Sequence, residues 1–276
     1  MPLALLATLA LVQGVTEFLP ISSSAHLVLT RWVWAGLGLE APPPDPAGEL
    51  ALDVALHVGT LLAVALYFRK DVAALLRGGV DILRVRATPD RRLALLVLIA
   101  TIPAFLAGAL GKSLITEHLR GVEVIGWTTL IFGLLLGWAD RQPAVGRMNN
   151  LSWKGALFVG AAQAFALIPG VSRSGVAMTA CRQLGLSRPE AARFALLLAL
   201  PSIAGAGALA SLDLVEAGAA GAAVSKDALI GAGLAFIAAY AAIMLMMRWL
   251  RDASFKPFVI YRVILGLVIL GVAYLA

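Results

Sequence analysis

Gln13-Gly14-Val15-Thr16-Glu17-Phe18-Leu19-Pro20-Ile21-Ser22-Ser23-Ser24-Ala25-His26 is the stretch on which the fold turns. An apolar segment, 3–18, runs into it and another, 22–38, runs out of it. Each is too short or too broken to cross a bilayer, which takes about 20 apolar residues. Proline removes a backbone donor and a nearby glycine relaxes the chain, so the helix is interrupted here. The pattern recurs at Pro169-Gly170-Val171-Ser172-Arg173-Ser174, between apolar segments 153–168 and 175–186. Irregular backbone at membrane depth survives only where protein or a water-filled cavity satisfies it. Each pair of segments therefore reads as a re-entrant helix hairpin with its tip near the midplane.

Outward from the two hairpins lie six longer apolar segments, at 52–68, 93–111, 122–139, 190–211, 228–247 and 258–276. Of the 276 residues, 61% are hydrophobic and only 14% charged, and the mean hydropathy is +0.91. A soluble domain is about 45–50% apolar and about 25% charged. This excludes a soluble globular enzyme and a disordered chain. The expected fold is an all-α polytopic membrane protein forming one integral membrane domain over 1–276. Its organisation reads as an inverted-topology repeat, each half a re-entrant hairpin followed by three transmembrane helices: repeat one about 1–140, repeat two about 151–276. Gln13, Ser22 and Ser24 recur as Gln163, Ser172 and Ser174, each 150 residues on, with Pro20 and Pro169 one residue out of step. An odd number of crossings inverts the second half, the architecture in which interrupted helices meet at a midplane site.

The net charge of +6 and a pI near 9.9 suggest a nucleic-acid footprint until the cations are located. Fifteen of the 22 Lys and Arg fall in loops 69–92, 140–154, 182–189 and 248–257; only Lys112, Arg120 and Lys226 lie in the opposite loops. The positive-inside rule makes the rich side cytoplasmic. No nucleic-acid partner is expected. Both termini then face outward, the first hairpin opens outward and the second opens to the cytoplasm. The N-terminus lacks the basic region of a signal peptide and is expected to remain in the mature chain. Cys181 is the only cysteine, which excludes an intrachain disulfide and a cysteine-based zinc site. Segment 71–86 mixes Arg with Leu and Val, as an amphipathic interfacial helix or a plain cytoplasmic loop would. Loop 40–51, with Pro42-Pro43-Pro44, reads as a stiff solvated linker. Ser187-Arg188-Pro189-Glu190 reads as a capping box, and Gly133 with Gly137 as a helix-packing pair.

Ionisable groups inside a membrane are expensive and mark function by default. The first hairpin carries Glu17 and His26, with Gln13 one helical turn before Glu17 and on its face. The second carries Arg173 between Ser172 and Ser174. Helix N-termini after Pro20 and Gly170 attract anions, five serine hydroxyls (Ser22, Ser23, Ser24, Ser172, Ser174) add donors, and Arg can bind phosphate bidentately. Glu17 with Gln13 offers oxygen ligands to a divalent cation, Mg²⁺ or Ca²⁺, which water and phosphate oxygens would complete. The residues alone therefore indicate a phosphate or diphosphate site, metal-assisted or not. His57 either borders this site or is a structural histidine.

The segment Gln13–His26 closely resembles the first signature of the undecaprenyl-diphosphate phosphatase family, also called bacitracin-resistance proteins, and Pro169–Gly175 resembles its second. Leu56–Val64, Phe194–Pro201 and Tyr261-Arg262 extend the likeness over essentially the whole chain. The resemblance implies hydrolysis of a prenyl diphosphate lipid, undecaprenyl diphosphate, to the monophosphate plus phosphate at the outer face of a bacterial plasma membrane. It implies recycling of that carrier for cell-wall synthesis, bacitracin resistance and a divalent-metal requirement. Carried over residue by residue, it assigns the acidic motif to Gln13 and Glu17, a histidine to His26, an arginine to Arg173 and a proposed serine nucleophile to Ser23. Gln13 stands where many members have Glu. Ala177 stands where many have Thr, and Thr179 is the expected substitute. Attack by Ser23 and direct attack by water both remain open, as does homo-oligomerisation. The rival reading is a transporter or flippase for a prenyl phosphate or inorganic phosphate, since inverted repeats with broken helices also serve transport.

Overall fold

The computed structural model describes residues 1–39, 46–119, 121–216 and 225–275, with 46, 47, 112–118 and 213 described by backbone alone. The triple proline of the 40–51 loop, and Arg120, lie outside the described residues, while 46–51, read as part of that linker, forms the start of a helix. Eleven α-helices are present among them: α1 (Leu3–Phe18), α2 (Ser23–Gly36), α3 (Pro46–Tyr67), α4 (Arg69–Leu83), α5 (Pro89–His118), α6 (Val122–Ala139), α7 (Trp153–Ala164), α8 (Arg173–Gln183), α9 (Arg188–Glu216), α10 (Lys226–Asp252) and α11 (Lys256–Leu275). No sheet forms among the described residues beyond one parallel bridge, Gly146 to Leu186.

Six of these helices are long and apolar enough to span a membrane: α3, α5, α6, α9, α10 and α11. They coincide with the six long apolar segments of the sequence. The four helices beside the interruptions have 16, 14, 12 and 11 residues. At 1.5 Å per residue the longest reaches about 24 Å, short of a ~30 Å hydrocarbon core. Their ends follow from local chemistry. Pro20 stops α1, because the residue before a proline is pushed out of the helical region. A short 3-10 turn, Phe165–Leu167, ends the α7 segment ahead of Pro169. Ser152 caps α7 by accepting from Gly155 N at 3.0 Å, and Ser172 caps α8 by accepting from Gly175 N at 3.1 Å; each satisfies one orphan helix donor.

The chain divides into two compact units, and each draws segments from both halves of the sequence. The first holds Met1–Phe18, Ser23–Tyr67 and Leu200–Leu245. Its core joins Leu5, Leu6 and Leu9 of α1, Leu27 of α2, Leu52 and Leu56 of α3, and Ala235 of α10. Two glycines allow helices to close on α10. A Cβ on Gly14 would lie 2.6 Å from both Ala235 O and the Ala238 Cβ, and one on Gly59 would strike the Ala232 backbone.

The second unit holds Leu19–Ser22, Phe68–Ala199 and Met246–Ala276. Within it α6 packs along α11, α5 along α7 and α4 along α5. Gly133 and Gly137 face α11, with Cβ positions 2.8 Å from Arg262 Cβ and 3.0 Å from Val259 Cγ1. That agrees with a packing role for the pair. Segment 71–86 is helical through Leu83. Its buried Gly78 abuts the Asp90 backbone, while Leu76, Val80 and Leu83, one helical stripe, are exposed. The capping box does not form as read. Ser187 N donates to Gly146 O at 2.8 Å, and the Glu190 carboxylate accepts from Met148 N at 2.8 Å instead. A tertiary donor from a neighbouring loop has taken the place of the local one. Among the cations in apolar segments, Arg193 pairs with Asp71 and Glu190, and Arg31 pairs with Asp53 at 3.0 Å. Both are structural ion pairs.

Candidate functional site

In the first unit, α1 and the start of α2 bring the acidic motif to the serine run. Glu17 is buried and accepts from Gln13 Nε2 at 2.9 Å, one turn back on the same helix face. The same carboxylate oxygen, Oε2, accepts from Ser23 Oγ at 2.6 Å. The helix break makes this possible: the chain reverses between residues 18 and 23, so Ser23 returns to the carboxylate six residues before it. Gln13 is fully buried, and its Oε1 has no hydrogen-bond partner among the described residues. His57, half-buried on α3, reaches the group as well, with Nε2 3.9 Å from Glu17 Oε2. Its Nδ1 lies 2.7 Å from Asp53 O; a carbonyl only accepts, so Nδ1 carries the hydrogen. His26 stands half-buried on α2, three residues after Ser23 and thus on the same face, while Ser24 is exposed.

In the second unit, the peptide Leu19–Ser22 meets the second interruption. Ser174 Oγ donates to Leu19 O at 3.0 Å and lies 3.2 Å from Ser172 Oγ. Ser22 and Ser172, 150 residues apart, both take left-handed backbone, with φ of 74° and 71°. Such a conformation costs a non-glycine residue about 1–3 kcal/mol and persists only where the surroundings impose it. Gly170 has φ of +92°, and any Cβ there would collide with Thr128 Oγ1. Thr128 Oγ1 in turn donates to Pro169 O at 2.6 Å. Arg173 opens α8 as its first residue, half-buried. Thr179, the expected substitute for the missing threonine, donates its hydroxyl to Gly175 O at 2.7 Å. Its only proton is committed inside α8.

Arg262 is the residue to which sequence reasoning gave no role. It is fully buried, and its guanidinium donates to five carbonyls. Nη1 reaches Pro20 O at 3.2 Å and Val171 O at 3.0 Å. Nη2 reaches Gly170 O at 2.9 Å and Thr128 O at 3.4 Å, and Nε reaches Thr129 O at 3.1 Å. One side chain from α11 thus gathers backbone from both interruptions and from α6. A signal existed: Arg262 was one of four cations inside apolar segments, and no acid lies near it in sequence.

The arrangement in the first unit is chemically specific. A serine hydroxyl donating to a buried carboxylate, itself oriented by an amide, is the layout of a nucleophile beside its base. The donor set also suits a hard divalent cation: one carboxylate and an unpartnered, buried amide oxygen. No cluster of three or more His, Cys, Asp or Glu occurs among the described residues, so water and substrate oxygens would have to fill the remaining positions.

Residues 6–268 match the family model described as bacitracin resistance protein BacA. The chain is 47% identical over 281 residues to undecaprenyl-diphosphatase 1 of Rhodospirillum rubrum, covering 98% of this chain and 95% of that one. It is 48% identical over 277 residues to the undecaprenyl-diphosphatase of Jannaschia sp., covering 99% and 100%. It is 48% identical over 272 residues to that of Ruegeria pomeroyi, covering 98% of each.

Proposed function

The chain belongs to the bacitracin resistance protein family, and on that premise we propose that it is a membrane phosphatase hydrolysing undecaprenyl diphosphate to undecaprenyl phosphate and inorganic phosphate. The observation that carries the chemistry is the 2.6 Å bond from Ser23 Oγ to the buried Glu17 carboxylate. It favours attack by Ser23. Ser23 Oγ bonds to the terminal phosphorus as its proton passes to Glu17, and the bridging P–O bond breaks to release the lipid monophosphate. Water then cleaves the phosphoserine, giving phosphate and restoring the hydroxyl. Gln13 orients Glu17, and His26 stands on the Ser23 face of α2, suited to moving the second proton.

Arg173, Ser172, Ser174 and the N-terminus of α8 take the role of binding and stabilising the phosphoryl oxygens, mostly an electrostatic task. Ser22 and Gly170 shape the backbone for it. A divalent cation, Mg²⁺ or Ca²⁺, would be held by Gln13 and Glu17, and when bound it neutralises charge on the diphosphate. The inverted repeat is supported by the 150-residue recurrence of Gln13, Ser22 and Ser24 and by the matching left-handed serines. The cation count of the loops supports cytoplasmic placement of 69–92 and outward placement of both termini. On that reading the substrate-facing side is outward.

Purified chain in detergent, which has no compartments, should release phosphate from a prenyl diphosphate; a pure transporter would release none, and that result would sink the proposal. Ser23→Ala should lower phosphate release at least 10²-fold and abolish the acid-stable phosphoserine trapped by rapid quench. Retained turnover in Ser23→Ala would instead assign the attack to water. Arg173→Lys keeps the charge but loses the planar fork, and kcat/KM is expected to fall about 10²-fold. Near-normal turnover in that variant would remove Arg173 from the phosphoryl site.

A further inference from the structure

We propose that the cation-rich face carries a binding site for an anionic phospholipid, in a groove between the start of α5 and the start of α7. The groove measures about 570 Å³ and lies wholly within the second unit. Arg91, Arg92 and Trp153 line it together with Leu93, Leu95 and Leu96. The three leucines belong to the first turns of a helix long and apolar enough to span a membrane, so the groove sits at the level where a span leaves the hydrocarbon. Tryptophan favours that level of a bilayer. No carboxylate lines the groove among the described residues. Arginines at the helix start, followed at once by leucines, match a molecule with an anionic head and an acyl chain. A free phosphate would meet the arginines and leave the leucines unused.

Arg91 is the cation with donors to spare. Its Nε is buried with no hydrogen-bond partner among the described residues. Outside the helix ladder its one bond there runs from its backbone N–H to Thr88 Oγ1, at 3.1 Å. The acids of the same stretch are taken: Asp90 accepts from Arg77 Nε at 2.7 Å, and Asp81 accepts from Thr88 Oγ1 at 2.6 Å. A buried donor without an acceptor is unfavourable, and phosphodiester oxygens are acceptors that arginine binds bidentately. Arg92 has a different part. Its Nη1 donates to Asn149 O and its Nη2 to Leu151 O at 2.8 Å, and its guanidinium lies 5.5 Å from the Trp153 ring centre. Those contacts tie the start of α5 to the start of α7 and hold the groove open, and the charge of Arg92 still adds to the attraction. The neighbouring α4 packs along α5 and exposes Leu76, Val80 and Leu83, with Arg77, Arg84 and Arg86 on the same segment. An apolar stripe with arginines suits an anionic bilayer surface, and the loop cations assign this face to the cytoplasmic leaflet, which carries such lipid.

The test uses the full-length chain, purified in detergent and stripped of lipid, with bound lipid read by native mass spectrometry. Phosphatidylglycerol should be held about fivefold more tightly than phosphatidylcholine with the same acyl chains. Arg91→Gln should weaken phosphatidylglycerol about fivefold and leave phosphatidylcholine unchanged. Arg141→Gln, which removes an exposed cation from the same face outside the groove, should change either lipid less than twofold. Phosphate release from a prenyl diphosphate in Arg91→Gln should stay within roughly twofold of the original; a larger drop would tie Arg91 to the reaction and overturn a separate site. Equal retention of the two lipids by the unaltered chain overturns the assignment without any variant. Equal weakening by Arg91→Gln and Arg141→Gln overturns it as well, since the attraction would then belong to the whole face. Displacement of phosphatidylglycerol by an equal concentration of inorganic phosphate would overturn it in favour of a free anion. Each of these results leaves the hydrolysis itself standing.

Discussion

Glu17→Gln is expected to lower kcat for phosphate release by about 10³-fold. General-base catalysis contributes typically 10²–10⁴-fold, and the amide conserves the shape of the carboxylate while losing its ability to take a proton. Ser23 Oγ and Gln13 Nε2 both donate to Glu17 Oε2, at 2.6 and 2.9 Å. In the variant one amide oxygen can still accept from Ser23, so folding is expected to survive. Because Ser23 and Glu17 act as one unit, the double variant should be little worse than either single one, as such groups are strongly non-additive. Steady-state rates for the three variants, with unfolding followed by tryptophan fluorescence, check this. A Glu17→Gln enzyme within tenfold of the original would remove Glu17 from proton transfer.

Arg262→Met is expected to lower both stability and activity, although Arg262 is assigned no contact with substrate. Two effects oppose each other. Removing a buried charge recovers desolvation energy, which favours an apolar replacement of similar length. Removing the donors strands five carbonyls, from Pro20, Thr128, Thr129, Gly170 and Val171, and each that no water reaches costs roughly 1–3 kcal/mol. Arg262 is fully buried, so water has poor access and the second effect wins. The melting temperature should drop by several degrees and turnover should fall at least tenfold, because Pro20, Gly170 and Val171, close in sequence to the left-handed Ser22 and Ser172, lose the donors that hold their carbonyls. Arg262→Lys, with three donors on a point charge, should recover part of the stability and less of the turnover. Unchanged melting and turnover in Arg262→Met would show that the five bonds carry no net weight.

The six spans were legible because length and hydropathy alone select them, and the interruptions were legible because proline and glycine act locally. The pairing of Gln13 with Glu17 followed from helical periodicity. Other features were hidden for stated reasons. Arg262 answers to backbone carbonyls, which every residue possesses and no motif displays. His57 stood between bordering the site and a structural role, because it approaches Glu17 from another helix and bonds only to a carbonyl one turn back. Serine gives no warning of positive φ at Ser22 and Ser172, since glycine is the usual occupant of that region. Ser187-Arg188-Pro189-Glu190 had the right letters for a capping box, but Met148 N lay within reach of Glu190.

The close approach of α1 and α3 to α10 has a consequence for how freely this protein can vary. The Gly14 and Gly59 contacts fall on Ala232, Ala235, Ala238 and Ala239, none of which bears any group useful to phosphate chemistry. Enlarging any of them would push Gln13 or His57 away from Glu17. In a library of single substitutions selected for growth on bacitracin, these four alanines should tolerate as few replacements as the serines do. A stretch that looks like interchangeable membrane filler would then be among the most constrained parts of the chain.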